Sequence, residues 1–189
     1  FNFNMADVDN DLLDICNDEI EALKDKIKEA KEEQADRARG IDLENAVTAA
    51  ENKYASVSSK LTDFENLLST DDAALKLKSI AELDTYIAEL DAKNATFSAI
   101  NWNDLEQAIT DAESAFTAAG GTVDSALQAR ISDVKNNIAK VKTALSNYAG
   151  KKASAQNIKT AKENEIATVR NLENRKTDLV ARCSDVATR

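Results

Sequence analysis

The chain has no histidine and no proline among its 189 residues, and only four glycines. Without histidine it loses the usual general base, the usual member of a hydrolytic triad and the commonest zinc ligand together. So few glycines leave no phosphate-cradling loop, and no dinucleotide or P-loop pattern is present. The same scarcity of turn residues argues against an all-β or α/β fold. Aromatic residues are 5% of the chain, so a core must come from Leu, Ile, Val and Ala, which favours close contact between helices. No apolar run approaches the roughly 20 residues of a membrane span. The composition reads as a non-enzymatic protein that needs no cofactor and no metal.

What is present is charge and helix-forming residues. Charged side chains make up 31% of the sequence and the formal net charge is −10, which disfavours nucleic acid or an anionic membrane surface as a partner. Ala, Leu, Glu and Lys dominate, as in long helices. The length suits one elongated domain with a real core.

Heptad-like spacing divides the chain into six helical segments. Leu13, Cys16, Ile20, Leu23, Ile27 and Ala30 form one seam, on a helix expected over residues 6–39. Gly40 reads there as a C-cap, with either a reversal or a kink, because the following seam at Leu43, Val47, Ala50, Tyr54, Val57, Leu61, Phe64 and Leu68 is one residue out of register. Ser69 or Thr70 is expected to cap a third helix through Leu83, Leu90 and Phe97, with Asn94 as its polar exception. Ile100, Asn101 and Leu105 resemble a capped, stapled helix start. Gly120-Gly121 ends that helix, and Thr122 is expected to cap the next, whose seam runs through Ile131, Val134, Ile138 and Val141. Gly150 is the last punctuation; with no capping residue behind it, the two flanking segments can be one helix.

The two ends carry opposite charge. Residues 6–39 hold twelve Asp or Glu against six Lys or Arg, and residues 151–189 hold nine Lys or Arg against five Asp or Glu. Cys16 and Cys183 lie on the seams of these two segments. Charge, matched length and cysteine placement predict an all-α, antiparallel bundle: a two-helix stem of residues 6–39 with 151–187, leading into a four-helix head at 42–149, with a Cys16–Cys183 disulfide. Such a bridge closes a long loop and stabilises by about 4–5 kcal/mol in the chain-entropy model; as free thiols the two would be small hydrophobes in a seam.

Other motifs are weaker. Asp7, Asp9, Asp11 and Asp18 match four ligand positions of a calcium loop, but Leu12 replaces the glycine of its turn and Asp14 stands where an apolar residue packs, so an acidic helix start is expected instead. Paired carboxylates such as Glu32-Glu33 read as solvated helix faces, since a di-iron site needs Glu-x-x-His. Asn94-Ala95-Thr96 is a formal glycosylation acceptor, against the alternative of a buried, register-setting Asn. Trp102, at a helix corner, is a candidate partner contact unless it tucks beneath that corner, and Gly120 and Gly121 mark a second candidate recognition loop.

In its helix lengths the chain resembles the extended helical surface antigens of trypanosomes and, more loosely, spectrin-type repeats; this likeness transfers no residue or ligand. The expected function is a secreted or surface-exposed interaction protein presenting its head to a protein partner. An intracellular coiled-coil adaptor is the alternative, and a lipid-carrying bundle a third. Phe1 can follow a removed signal peptide, or Met5-Ala6-Asp7 can be a native start; the first fits an extracellular or cell-surface location, the second the cytoplasm.

Overall fold

The computed structural model describes residues 4–189 and is all-α, with no strand among the described residues. Its helices are α1 (Met5–Val57), α2 (Leu61–Ser69), α3 (Asp72–Lys76), α4 (Ile80–Ser98), α5 (Trp102–Ala118) and α6 (Ser125–Ala187), with a 3-10 turn at Ser58–Lys60. Contacts divide the chain into two compact units. One comprises the chain up to Ala50 together with Asn103–Asp133; the other comprises Glu51–Trp102 together with Val134–Arg189.

Two glycines read as punctuation lie inside unbroken helices. Gly40 is internal to α1 and Gly150 to α6. The missing side chain at Gly40 serves packing: a Cβ there would come within 3.3 Å of the Phe116 ring. Gly150 has open space around it, and α6 tolerates it because one helical glycine costs only about 0.5–1 kcal/mol. The true interruption follows Val57. The hydroxyls of Ser56 and Ser58 donate to the carbonyls of Lys53 and Ala55, the local competition with helical bonding expected of serine. Other helix starts are capped by neighbours of the expected residues. Asp71 accepts from Ala74 N–H at 2.8 Å, Ser79 from Glu82 N–H at 3.1 Å, and Asp124, rather than Thr122, from Leu127 N–H at 2.7 Å.

In the first unit, Leu43, Val47, Ala50, Ile109 and Ile131 are buried. α5 ends in a Schellman turn: Gly121 N–H donates to Phe116 C=O and Gly120 N–H to Thr117 C=O, both at 3.0 Å, with Gly120 at φ 89°. Phe116 lies against Gly40, and a few residues beyond the turn Arg130 reaches Glu44 at 3.4 Å and the Thr48 hydroxyl at 3.2 Å. α6 therefore sets off along α1 in the same direction. The 119–124 turn thus hands the first turns of α6 to this stretch of α1 in parallel.

In the second unit, Leu83, Tyr86, Leu90 and Phe97 of α4 are buried, as are Leu61, Phe64 and Leu75 before it and Val134, Ile138, Val141 and Ala144 of α6. The Phe64 and Phe97 rings stack at 5.5 Å. α6 runs antiparallel to α4. Lys152 pairs with Asp91 at 3.0 Å, and one heptad on, Lys159 pairs with Asp84 at 2.5 Å. The end of α2 is tied down as well: the Tyr86 hydroxyl donates to the Leu67 carbonyl, and Lys151 Nζ donates to the Thr70 carbonyl at 2.7 Å, satisfying orphan carbonyls at a helix C-terminus.

Candidate interaction surface

Among the described residues, every buried hydrophobic side chain lies between Leu43 and Ala155. On either side, the flanks of α1 and α6 are single helices whose apolar seams are uncovered. On α1, Leu13, Ile20, Leu23 and Ile27 are each about half exposed (48–58%). Leu12 and Ile15 widen this stripe. On α6, Ile166, Val169, Leu172, Leu179 and Val186 are 50–63% exposed. Leu172, Leu179, Val180 and Cys183 line a shallow apolar groove, edged by Arg175 and Lys176. Apolar residues recurring at three- and four-residue steps normally face a core or a partner helix. A continuous exposed row of this kind differs from singly scattered surface hydrophobes.

The flanks stay helical through short-range pairing. Lys24 bonds Glu21 at 2.9 Å, Arg37 reaches Glu33 at 3.6 Å, and Arg182 reaches Asp178 at 3.6 Å, all on exposed surface. Such pairs contribute a few tenths of a kcal/mol each.

A polar cluster with perturbed protonation joins α4 to α6. The Tyr148 hydroxyl donates to Asp91, and Lys152 Nζ reaches the other carboxylate oxygen at 3.1 Å and the Tyr148 hydroxyl at 3.5 Å. The Tyr148 hydrogen bond, followed by that of Lys152, holds the Asp91 carboxyl below its ordinary range. Asp91 in turn raises Tyr148 and Lys152, and the Asp84 bond raises Lys159. These groups join α4 to α6 on the surface. Their mutual hydrogen bonds and ion pairs clamp the two helices together.

The residues singled out from sequence fall in separate places. Cys16 and Cys183 are free and exposed, so the expected disulfide is not formed. Trp102 is 3% exposed, its Nε1–H donating to the Phe97 carbonyl at 2.7 Å. It tucks beneath the α4–α5 corner, the alternative placement expected of it. Gly120 and Gly121 form the Schellman turn, and a Cβ at Gly121 would fall 2.3 Å from Phe116, so that glycine also serves packing. Asn94 is half-buried on α4, neither fully in the core nor on an open loop. Asp7, Asp9, Asp11 and Asp18 lie in the continuous helix α1, where no calcium loop can close, and among the described residues no group of three or more His, Cys, Asp or Glu could hold a metal ion. No described helix is long and apolar enough to cross a membrane. Sequence reading found the stripes but assigned them to each other; their availability shows only in the exposure of both.

No protein-family model, curated protein or solved structure matches the chain.

Proposed function

We propose that the chain is a non-enzymatic interaction protein that binds a macromolecular partner through the apolar stripes of its flanking helices. The observation that carries this reading is the uncovered seam on each flank, Leu13 to Ile27 on α1 and Val169 to Val186 on α6. A folded helix rarely leaves so long a stripe in water, where each large apolar side chain forgoes about 1.5–3 kcal/mol of available burial. Covering the stripe with the apolar face of a second helix recovers that stabilisation by helix-against-helix recognition. The corner at Trp102 and the turn at Gly120-Gly121 serve as scaffold in this reading.

The free, exposed thiols of Cys16 and Cys183 favour the intracellular adaptor form of the function, since paired cysteines are the norm in oxidising compartments.

The test is affinity capture from the native source with the full chain and with a Leu172→Glu/Leu179→Glu variant. Both positions are exposed, so circular dichroism should show unchanged helicity and melting. Bound partners should fall at least tenfold. Capture that survives this change, and a matching change at Ile20 and Ile27, sinks the reading.

A further inference from the structure

We infer that the two stripes are made for each other across molecules: the α1 flank of one copy packs antiparallel on the α6 flank of a second copy. This rests on the reading of the stripes as interaction surfaces and names their occupant. Three observations carry it.

The first is register. In an antiparallel pair the heptad positions of one helix must meet complementary positions of the other along the whole seam. When Leu13, Ile20 and Ile27 are set opposite Val186, Leu179 and Leu172, each successive contact advances seven residues on one helix and retreats seven on the other. All six are exposed. The same register places Cys16 opposite Cys183, both exposed, and Ala30 opposite Val169. The single polar layer sets Leu23 against Lys176, whose long stem can lie along the seam with its ammonium in water. The matched seam runs for roughly 25 Å at 1.5 Å per residue.

The second is charge. The α1 flank has a twofold excess of acidic over basic residues, and the α6 segment from Lys151 onward is the basic part of an otherwise acidic protein. An α1 flank laid on another α1 flank sets like charge against like, whereas α1 on α6 sets opposite charges together and gains from steering. At the seam's edge, Glu19 falls beside Arg182, and Lys24 beside Glu173; Lys26 beside Arg175 is a mismatch.

The third is availability. Both stripes are left in water by the chain that carries them, Leu13 to Ile27 at 48–58% exposure and Leu172 to Val186 at 55–63%. Each copy carries both halves of the match, so the contact can be made twice between two molecules, as in an isologous dimer.

The experiment mixes equal amounts of unlabelled and 15N-labelled full-length chain. Diamide then oxidises the mixture, taking up the two electrons and two protons released as each disulfide forms, and the cross-linked peptides are read by mass spectrometry. Cys16–Cys183 peptides of mixed isotope content are expected, alongside a dimer in sedimentation velocity of the reduced chain. Ile20→Lys and Leu179→Glu should each lower dimer affinity at least tenfold at unchanged helicity, and joining Glu19→Arg to Arg182→Glu should restore dimer weakened by either alone. Same-isotope Cys16–Cys183 peptides only would show pairing within one chain and overturn the inference. So would Cys16–Cys16 or Cys183–Cys183 links as the sole products, or a dimer indifferent to both stripe substitutions. A chain that stays monomeric at every concentration, yet whose captured partners still depend on Leu172 and Leu179, defeats the second-copy inference alone and leaves the proposed function standing.

Discussion

At the scale of single residues, the glycines separate what sequence shows from what it conceals. Gly40, Gly121 and Gly150 look alike as breaks in a helical pattern. In the structure they do three different things, and substitution by alanine should tell them apart. Gly150→Ala meets open space in a helical backbone and should stabilise by about 0.4–1 kcal/mol, raising the melting temperature. Gly121→Ala drives a methyl to 2.3 Å from the Phe116 ring and should destabilise by about 1–3 kcal/mol. Thermal melts of the two variants followed by circular dichroism check the sign of each. Gly120, with its positive φ, and Gly121 end α5 as the sequence reading expects, and α6 runs unbroken through Gly150 as that reading allows. The role of Gly40 depends on Phe116, far along the chain, and no local pattern reveals it. The break after Val57 was legible in principle, since the Ser56-Val57-Ser58-Ser59 run supplies the hydroxyls that compete for helix carbonyls.

At the scale of elements, the α4–α6 clamp ties stability to pH. Asp91 titrates below its ordinary range when folded because Tyr148 and Lys152 bond its charged form. Its contribution is therefore complete above the unfolded carboxylate range, near pH 4, and is lost as pH falls through the lowered folded value. Lys152, Lys159 and Tyr148 are raised, so theirs is complete below about pH 10 and is lost as pH rises through the raised values. Asp91→Asn should lower the melting temperature slightly at neutral pH and reduce its acid dependence. Melting curves of both proteins from pH 2.5 to 7 read this; identical acid limbs would show that the clamp does not contribute. The seams through Leu43, Val47 and Phe64, and through Ile131, Val134 and Ile138, are buried as their spacing foretells. Periodicity gives the apolar face of a helix but is silent on what covers it. For that reason Leu13–Ile27 and Val169–Val186 were as legible as the core seams, while their exposure was not. The direction of α6 against α1 was hidden too, because it is decided by the 119–124 turn rather than by charge.

At the scale of the whole molecule, burial is concentrated between Leu43 and Ala155, and the exposed flanks carry helical hydrogen bonds and exposed ion pairs. Helices without tertiary packing are marginal in water, so local opening should begin there. Hydrogen exchange on dilute protein is expected to give residues 8–36 and 164–186 protection at least tenfold below that of residues 83–97. Raising the protein concentration should increase flank protection selectively if a second copy covers the stripes. Uniform protection along the chain in dilute solution would contradict this division of stability.

The burial of Trp102 has an optical consequence. It is the chain's sole tryptophan, sealed at the α4–α5 corner with its indole N–H bonded to Phe97. Its fluorescence reports that corner and is blind to the flanks, whereas far-ultraviolet dichroism sums every helical turn, flanks included. The two signals need not fade together on heating: an early, gradual loss of ellipticity at constant emission colour is fraying, and the later red shift is collapse of the core. The protein thus carries an intrinsic probe that separates coming apart at the ends from unfolding in the middle.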